Sequence, residues 1–291
     1  MSRTPVCRGV PDPVNLLSRR TFLLGGGLTL ASYLVYEVNT IRVVRYTVLV
    51  RNLPPAFHGF TILHLSDLHQ KEFGRNQARL LSRINRLQYD MVAITGDLVN
   101  QYRPDAGPAL DLIAGLAPKP LFFVNGNNEW GAVSRHRYRI AEWLVSAGAA
   151  ILNNRAVALP RGDGHLWIAG VDEPSSSKDR LAQVLSGATD GAPILLLAHY
   201  PTIFPRAAQA GVDLVLAGHT HGGQVRIPFV GALWAPGLGL VPRWDYGEFH
   251  EGKSTMIVNG GLGESIIPVR FAIPPEIALV TLAPLKGTAE E

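Results

Sequence analysis

The chain has 291 residues, enough for one large domain or two small ones; 47% of them are hydrophobic and 17% are charged. With 30 glycines and 21 prolines as well, this composition excludes intrinsic disorder, a coiled coil and collagen, and it predicts many turns. A single cysteine, Cys7, excludes an intramolecular disulfide and a thiolate metal cluster.

The net charge of +4 is concentrated near the N-terminus. Residues 1–45 contain six of the 27 basic residues and two of the 23 acidic residues, so the rest of the chain carries 21 of each sign. A body without net charge has no long-range field that would attract a polyanion. The composition therefore predicts no nucleic-acid partner.

Residues 1–40 form a segment that we expect to be a twin-arginine-type signal or an N-terminal membrane anchor. Ser18, Arg19 and Arg20 precede an uncharged run of 16 residues, 21–36, as in twin-arginine export signals. That run is shorter than the roughly 20 residues of an untilted spanning helix, no clear cleavage site follows it, and paired arginines also flank ordinary anchors. We expect a membrane-associated protein at the outer face of the cytoplasmic membrane or in the periplasm; an anchor on the cytoplasmic face is the alternative.

Residues 41–291, which we expect to be the catalytic domain, alternate short β-type runs with helical patterns. The elements predicted in chain order are strands 43–50 and 60–65, helix 76–87, strand 91–95, helix 109–117, strand 121–124, helix 137–147, strands 150–152, 157–159 and 166–169, helix 178–185, and strands 194–198, 214–217, 224–227, 255–258 and 277–282. This order predicts an α/β fold with βαβ units in the first half. The strand-rich second half suits two packed sheets covered by helices.

Seven polar residues follow apolar strands, at the edge where open α/β sheets place their ligands. They are Asp67, His69, Asp97, Asn127, His199, His219 and His221. Imidazole, carboxylate and carboxamide groups without sulfur favour divalent ions such as Mn, Fe or Zn. Seven ligands are too many for one tetrahedral ion, but they suit two divalent metal ions that share a carboxylate and serve phosphoryl displacement.

The local backbone around these residues is also informative. Residues two apart in an extended chain point the same way, so Asp67 with His69, and His219 with His221, are each expected to face one ion. A glycine stands directly before three of the predicted ligands, where a tight turn would present the side chain: Gly96, Gly126 and Gly218.

Taken together, the short sequence blocks that contain the seven predicted ligands resemble those of the calcineurin-like metallophosphoesterases, and they occur in the family's order. The run 218–225 (GHTHGGQV) resembles the bacterial membrane-associated or twin-arginine-exported branch, which includes hydrolases of UDP-2,3-diacylglucosamine. The resemblance covers residues 45–284 and implies a four-layer α/β/β/α sandwich of two mixed sheets. It further implies that Asp67, His69 and His221 hold one metal and that Asn127, His199 and His219 hold the other. Asp97 would bridge the two ions.

The resemblance also implies a reaction, in which a metal-bridging hydroxide attacks the phosphorus of a phosphodiester or pyrophosphate. The substrate would be a small phosphate ester or a lipid-linked one, such as UDP-2,3-diacylglucosamine. A metal-binding, catalytically weak module that holds a phosphate ligand at the membrane is the alternative function. A structural envelope protein is a further one.

One block departs from the family, because residues 126–129 read Gly-Asn-Asn-Glu where Gly-Asn-His-Asp/Glu is usual. That histidine is the usual candidate for general acid and for contact with the substrate phosphate. Asn128 can donate a hydrogen bond but has no proton to transfer near neutral pH. Either the leaving group needs little protonation or the enzyme is weak toward alkyl esters. Four other histidines are candidates for a substitute: His64, His136, His165 and His250.

Three further features have a structural interpretation. Residues 247–254 match the spacing of a nucleotide-binding loop, but a strand follows where a helix is needed, so a hairpin tip is predicted. Residues 170–174 end a strand and are interpreted as a solvated turn, with a segment that faces the substrate as the alternative. Trp234, Trp244 and Phe249 could form an apolar lip for a lipid chain or simply fill their loop.

Overall fold

The computed structural model describes residues 19–172, 180–227, 229–236, 238–265 and 268–285, with the side chains of residues 19 and 20 excepted. Cys7, Ser18 and the first two positions of the predicted helix 178–185 lie outside the described residues.

Strands and helices alternate along the first half of the described chain, and strands dominate the second half. The strands are β1 (Arg42–Val50), β2 (Thr61–Leu65), β3 (Met91–Ile94), β4 (Leu121–Phe123), β5 (Ala150–Ile151), β6 (Arg155–Arg161), β7 (Gly164–Gly170), β8 (Ile194–Leu197), β9 (Leu214–Ala217), β10 (Arg226–Ile227), β11 (Gly231–Ala232), β12 (Trp234–Ala235), β13 (Gly239–Leu240), β14 (Gly247–Glu251), β15 (Ser254–Val258) and β16 (Glu276–Pro284). The helices are α1 (Arg19–Asn39), α2 (Ala78–Ile84), α3 (Gly107–Ala114), α4 (Asn127–His136), α5 (Ile140–Ser146), α6 (Leu181–Leu185) and α7 (Phe204–Gln209).

Two six-stranded sheets form the centre of the molecule. The first has the order β1-β16-β2-β3-β4-β5 and the second the order β14-β15-β9-β8-β7-β6. In the first sheet β16 runs antiparallel to β2, whereas β2, β3, β4 and β5 are parallel. In the second sheet the inner strands are parallel and the outer pairs, β14–β15 and β6–β7, are antiparallel. Both sheets are therefore mixed.

Apolar side chains on both faces of each sheet produce four layers. Ile62 and Met91 of the first sheet share a core cluster with Leu197 and Leu216 of the second. The outer face of the first sheet packs against α2, α3, α4 and α5, and that of the second packs against α6 and α7. Strands β3 and β8 are buried along their whole length, as expected for parallel strands covered on both faces. The α/β fold class and the four-layer α/β/β/α sandwich are confirmed.

The structure differs from the sequence prediction in several places. The predicted helix 137–147 shortens to α5 because Arg137 adopts a left-handed conformation (φ 53°) at the end of α4. The predicted strand 224–227 reduces to β10, which begins two short hairpins, β10–β11 and β12–β13. Helices α4 and α7 were not predicted at all. The hairpin expected at 247–254 is present, but its tip is only residues 252 and 253, because residues 247–251 form β14 and Glu251 pairs with Ser254.

Candidate metal centre

The seven predicted ligands follow five strands whose carboxyl ends meet at one edge of the sandwich. Asp67 and His69 follow β2, Asp97 follows β3, Asn127 begins α4 after β4, His199 follows β8, and His219 and His221 follow β9. The ligand loops are bonded to one another through their backbones, since Asp67 N donates to Gly96 O (3.0 Å) and His69 N donates to Asp97 O (2.9 Å). The sheets therefore place these side chains before any metal has to organise them.

Six of the seven side chains form two groups in which the candidate ligand atoms lie within 4.8 Å of one another. The first group is Asp67, His69 and His221. In it the two Nε2 atoms are 3.1 Å apart, and Asp67 Oδ1 lies 3.5 Å from His221 Nε2 and 3.9 Å from His69 Nε2.

The second group is Asp97, His199 and His219, and Asn127 belongs beside it. His199 Nε2 lies 3.2 Å from both His219 Nδ1 and Asn127 Oδ1. Asp97 stands between the groups, because its Oδ2 is 3.3 Å from His199 Nε2 and 3.6 Å from His69 Nε2. A single carboxylate thus adjoins both sets of nitrogens.

The histidines of the His219-x-His221 pair belong to different groups. The expectation that both face one ion is therefore wrong, whereas Asp67 and His69 do share a group. Both residues of each pair adopt left-handed conformations, so the alternation of an extended chain applies to neither pair and does not determine which ligands share a group.

Left-handed backbone is a general property of this site. Five of the seven residues have positive φ: Asp67, His69, Asp97, His219 and His221. Non-glycine residues in this region cost of order 1–3 kcal/mol each and concentrate at functional sites. Gly218 is required for a steric reason, since a Cβ there would lie 2.0 Å from Ser66 Oγ and 2.4 Å from Asp67 Oδ2. The glycine lets the β9 loop approach the β2 loop.

Hydrogen bonds behind the imidazoles orient their free nitrogens. His199 Nδ1 lies 2.7 Å from Thr95 O and His221 Nδ1 lies 3.2 Å from Gly263 O, and a carbonyl can only accept. Both rings therefore carry a proton on Nδ1, which directs each Nε2 toward the other candidate ligands. At His199 that Nε2 faces the oxygens of Asp97 and Asn127, which are both acceptors. A cation satisfies such an arrangement, and the nitrogen and oxygen donors suit a borderline divalent metal.

The electrostatics of the buried site also favour positive charge. Burial lowers the pKa of His199, but the adjacent carboxylates of Asp97 and Asp67 outweigh burial and raise it to about 10. Burial likewise raises the pKa of Asp97, and the charges of His199 and His69 outweigh it and hold that pKa far below its usual range. By contrast, burial and the charge of His199 lower the pKa of His219 to about 3. In the second group Asp97 is thus ionised and His219 neutral, as metal ligation requires, while His199 carries a proton whose place a metal ion would take.

Asn128 contacts the carboxylate that joins the two groups. Its Nδ2 donates to Asp97 Oδ2 (2.6 Å), its backbone N donates to Asp97 Oδ1 (2.8 Å), and its Oδ1 accepts from Gln101 N (3.0 Å). The side chain is 7% exposed. Asn128 therefore orients Asp97 in this structure.

Glu129 is a site residue that the sequence reasoning missed. Its buried carboxylate accepts four backbone N–H groups: Oε2 from Asp97 and Gly126 (both 2.8 Å), and Oε1 from Leu98 (2.8 Å) and Val99 (3.3 Å). Burial first, and then the charge of Asp97, raises its pKa to about 7. The available signal was the position of Glu129 three residues after Gly126, which is the spacing of a capping box.

Arg270 supports the site from behind and was also missed. Its fully buried guanidinium donates to four carbonyl oxygens, those of Gly260, Gly261, Gly263 and Ile273. Gly263 O is the same oxygen that faces His221 Nδ1, and Gly263 N donates to Asp67 O (2.6 Å). One cation therefore ties loop 260–263 to two ligands of the first group.

The candidate substitutes for the missing histidine have partners elsewhere. His64 is buried beside Thr95 Oγ1 (2.9 Å), and burial lowers its pKa to about 3. His165 pairs with Asp190 and His250 with Glu248, while His136 is exposed at the end of α4.

Two aromatic residues and one acid near the site also have defined places. Tyr200, which follows His199, donates to Asn127 Oδ1 (3.3 Å), and its ring lies 3.8 Å from that of His219. Asp172 is buried and accepts from Trp130 Nε1 (2.5 Å). The interpretation of 170–174 as a solvated turn is therefore wrong for residues 170–172, and residues 173 and 174 lie outside the described residues.

The three aromatic residues of the loop-rich stretch, Trp234, Trp244 and Phe249, fall into two classes. Trp244 and Phe249 pack against the core cluster on the outer face of the second sheet. Trp234 is half exposed and lines an apolar cavity of about 320 Å³.

Comparison with known proteins places these residues in a family. The family model for calcineurin-like phosphoesterases matches residues 60–223. The chain is 29% identical to the uncharacterized metallophosphoesterase YkuE of Bacillus subtilis, over 97% of this chain and 98% of that one. It is also 29% identical to the phosphodiesterase YaeI of Escherichia coli (92% and 100% covered) and 32% identical to an uncharacterized metallophosphoesterase of Aquifex aeolicus (87% and 96% covered).

Proposed function

Since the chain belongs to the calcineurin-like phosphoesterase family and is a hydrolase of that class, we propose that it hydrolyses a phosphodiester or a pyrophosphate at a centre of two divalent metal ions. The observation that carries the proposal is the position of Asp97. Its Oδ2 adjoins a nitrogen of each ligand group, at 3.3 Å and 3.6 Å. A carboxylate between two such groups is what a dinuclear phosphoesterase needs.

The chain's own residues prepare this centre in three ways. Asp67, His69 and His221 would hold one ion and Asn127, His199 and His219 the other, with Asp97 shared. Bound metal ions supply a water of lowered pKa and neutralise the charge that develops on the phosphate. The carbonyl oxygens of Thr95 and Gly263 fix the orientation of the His199 and His221 imidazoles from behind. Asn128 and Glu129 hold the loop that carries Asp97.

Asn128 narrows the substrate class that we propose. An amide donates no proton to a leaving oxygen, and in this structure its N–H is directed at Asp97. Substrates whose leaving group is already a weak base therefore suit the site. The phosphate released from a pyrophosphate is one such leaving group, and the aryl oxide released from an aryl ester is another. Asn128 is also the observation that favours the second candidate function, a metal-binding module with weak catalysis that holds a phosphate ligand.

A lipid-linked phosphate ester fits the surroundings of the site. The apolar cavity of about 320 Å³ is lined by Gly223, Val225, Leu233 and Trp234, among others. Gly223 lies two residues after His221, and Gln224 N donates to His221 O (3.0 Å). The wall of the cavity is thus continuous with the metal centre, so a hydrocarbon chain held there would leave its phosphate near the ligands.

Membrane association through the N-terminal segment is part of the same proposal. Thr21–Asn39 is a helix long and apolar enough to cross a membrane. We propose that residues 41–291 lie on the outer face, as the paired arginines favour. A reporter fused after residue 291 and assayed in intact cells tests the side. Activity restricted to the cytoplasm would contradict export and would favour UDP-2,3-diacylglucosamine, which is made on that side.

The proposed reaction is tested with the full chain in detergent. Hydrolysis of bis-p-nitrophenyl phosphate and of a nucleotide-sugar pyrophosphate is measured with Mn²⁺ and with a chelator, for the natural chain, Asp97→Ala and Asp111→Ala. Asp111 is an exposed aspartate on α3 and serves as the matched control. We expect metal-dependent turnover that Asp97→Ala abolishes and Asp111→Ala retains. Two bound metal ions without turnover on either substrate would refute the enzyme and support the weakly catalytic module.

A further inference from the structure

A group of large apolar side chains lies exposed on the two short hairpins that follow the metal-binding loop of β9. We call it the apolar loop surface, and its members are Val225, Ile227, Phe229, Val230, Leu233, Trp234, Leu240 and Val241. Phe229 is fully exposed, and Leu240 and Val241 are 80% and 68% exposed. Contiguous apolar surface of this kind on a folded domain marks an interaction site.

The surface is bonded to the segment that touches the N-terminal helix. Arg226 N donates to Phe271 O (3.0 Å) and Phe271 N donates to Gln224 O (2.8 Å). The Phe271 ring packs edge-on against Tyr33 of α1, with centroids 5.4 Å apart. The apolar loop surface and α1 are therefore held side by side.

The length of helix α1 indicates how deep in a membrane the contact between Tyr33 and Phe271 would lie. Its apolar segment Thr21–Asn39 has 19 residues, about 28 Å at 1.5 Å per residue, which matches a hydrocarbon core of about 30 Å. Tyr33 lies six residues before Asn39, so it sits about 9 Å inside the end of the helix. Lys71 Nζ and Arg79 Nη2 bind the carbonyls of Val38 and Asn39 (both 2.6 Å), which keeps that end against the domain.

The charge of the same segment suits a membrane. Residues 225–244 contain two arginines and no acidic residue. Arg226 is paired with Asp245 (2.7 Å), and the guanidinium of Arg243 lies over the ring of Trp244. Aromatic and aliphatic side chains beside arginines are the composition that binds the boundary between headgroups and acyl chains, especially of anionic lipids.

From these observations we propose that the apolar loop surface is a second membrane contact, inserted into the headgroup–acyl boundary of the bilayer beside α1. The domain would then lie against the membrane in one orientation, with loop 225–241 facing the lipid. Helix α5, on the outer face of the first sheet, would face water.

Site-directed spin labelling of the full chain tests this without reference to activity. In a Cys7→Ser background, a nitroxide is attached at Leu240→Cys, at Val145→Cys as the matched control on α5, and at Leu28→Cys on α1. Leu28 is 71% and Val145 56% exposed, so all three sites accept a label. The chain is reconstituted in vesicles of phosphatidylethanolamine and phosphatidylglycerol, and collisions with oxygen and with a water-soluble nickel chelate are compared.

The expected result is a label at 240 that favours oxygen over nickel, as the label at 28 does, and a label at 145 that favours nickel. A label at 240 that resembles the one at 145 would overturn the proposal, whether or not the label at 28 is in the bilayer. Dipolar broadening at 240 with poor access to both relaxants would also overturn it, because a second copy of the chain would then cover the surface. None of these readouts depends on turnover, so the proposed hydrolysis stands or falls separately.

Discussion

The carboxylate of Glu129 connects the two loops that carry Asp97 and Asn127, and replacing it with glutamine tests that connection. Glu129→Gln keeps the size of the side chain but turns one acceptor oxygen into an N–H donor. Each oxygen of Glu129 accepts two backbone N–H groups, at 2.8 Å to 3.3 Å. Either orientation of the amide therefore leaves two buried donors without an acceptor.

The expected loss of stability follows from these two unsatisfied donors. An unsatisfied buried donor costs about 1–3 kcal/mol, so two cost about 2–6 kcal/mol, a large share of the 5–15 kcal/mol that stabilises a typical domain. For a domain of this size we expect the unfolding temperature to fall by at least ~4 °C. Because Glu129 also positions ligand loops, metal affinity should fall by about 10–100-fold.

Thermal unfolding by circular dichroism and Mn²⁺ titration by calorimetry measure the two effects. Glu142→Gln is the matched control, since the side chain of Glu142 is 66% exposed on α5. An unfolding temperature and a metal affinity for Glu129→Gln equal to those of the control would refute the reasoning.

Three more predictions concern residues that support the fold and the site. Gly218→Ala places a Cβ 2.0 Å from Ser66 Oγ; it should cost about 1–3 kcal/mol in chemical unfolding, and unchanged stability would show that Ser66 moves aside freely. Arg270→Met removes the donors to four carbonyls and should destabilise the chain by about 3–5 kcal/mol. In the same assay Arg270→Lys should recover only part of this loss. Full recovery would contradict the role of the planar guanidinium, whose two terminal nitrogens reach different carbonyls. Burial raises the pKa of Asp213, so the natural chain loses stability as the pH rises through that pKa. Asp213→Asn should therefore be the more stable protein at about pH 8 and lose its advantage toward about pH 3, whereas an advantage that is constant with pH would exclude ionisation as the cause.

The positions of the ligands were predictable because two regularities act together. Buried parallel strands read as continuous apolar runs, so the ends of β2, β3, β8 and β9 are visible in the sequence. Polar residues directly after such runs must then meet at one edge of the sheets. The grouping of His219 and His221 was not predictable from spacing, since the spacing argument assumes extended backbone and both residues of each pair are left-handed.

The residues behind the ligands were less accessible to sequence reasoning. Glu129 and Arg270 bind backbone groups, and every residue offers such groups, so no partner residue type marks the interaction. The turn-like composition of residues 125–128 also concealed the start of α4 at Asn127. In the sequence, the apolar residues of 225–241 cannot be distinguished from residues that fill a loop. The structure distinguishes the two nearby tryptophans, because Trp244 packs inward and Trp234 does not.

The central claim is that this chain holds two metal ions joined by Asp97, and electron paramagnetic resonance of the Mn²⁺-loaded full chain tests it most directly. Metal analysis of the same sample counts the ions, and Asp97→Ala and Asp111→Ala are measured beside the natural chain. We predict two ions per chain with an exchange-coupled spectrum, retained in Asp111→Ala and lost in Asp97→Ala. A single ion per chain, or two ions whose spectra are uncoupled in the natural chain, would contradict the account.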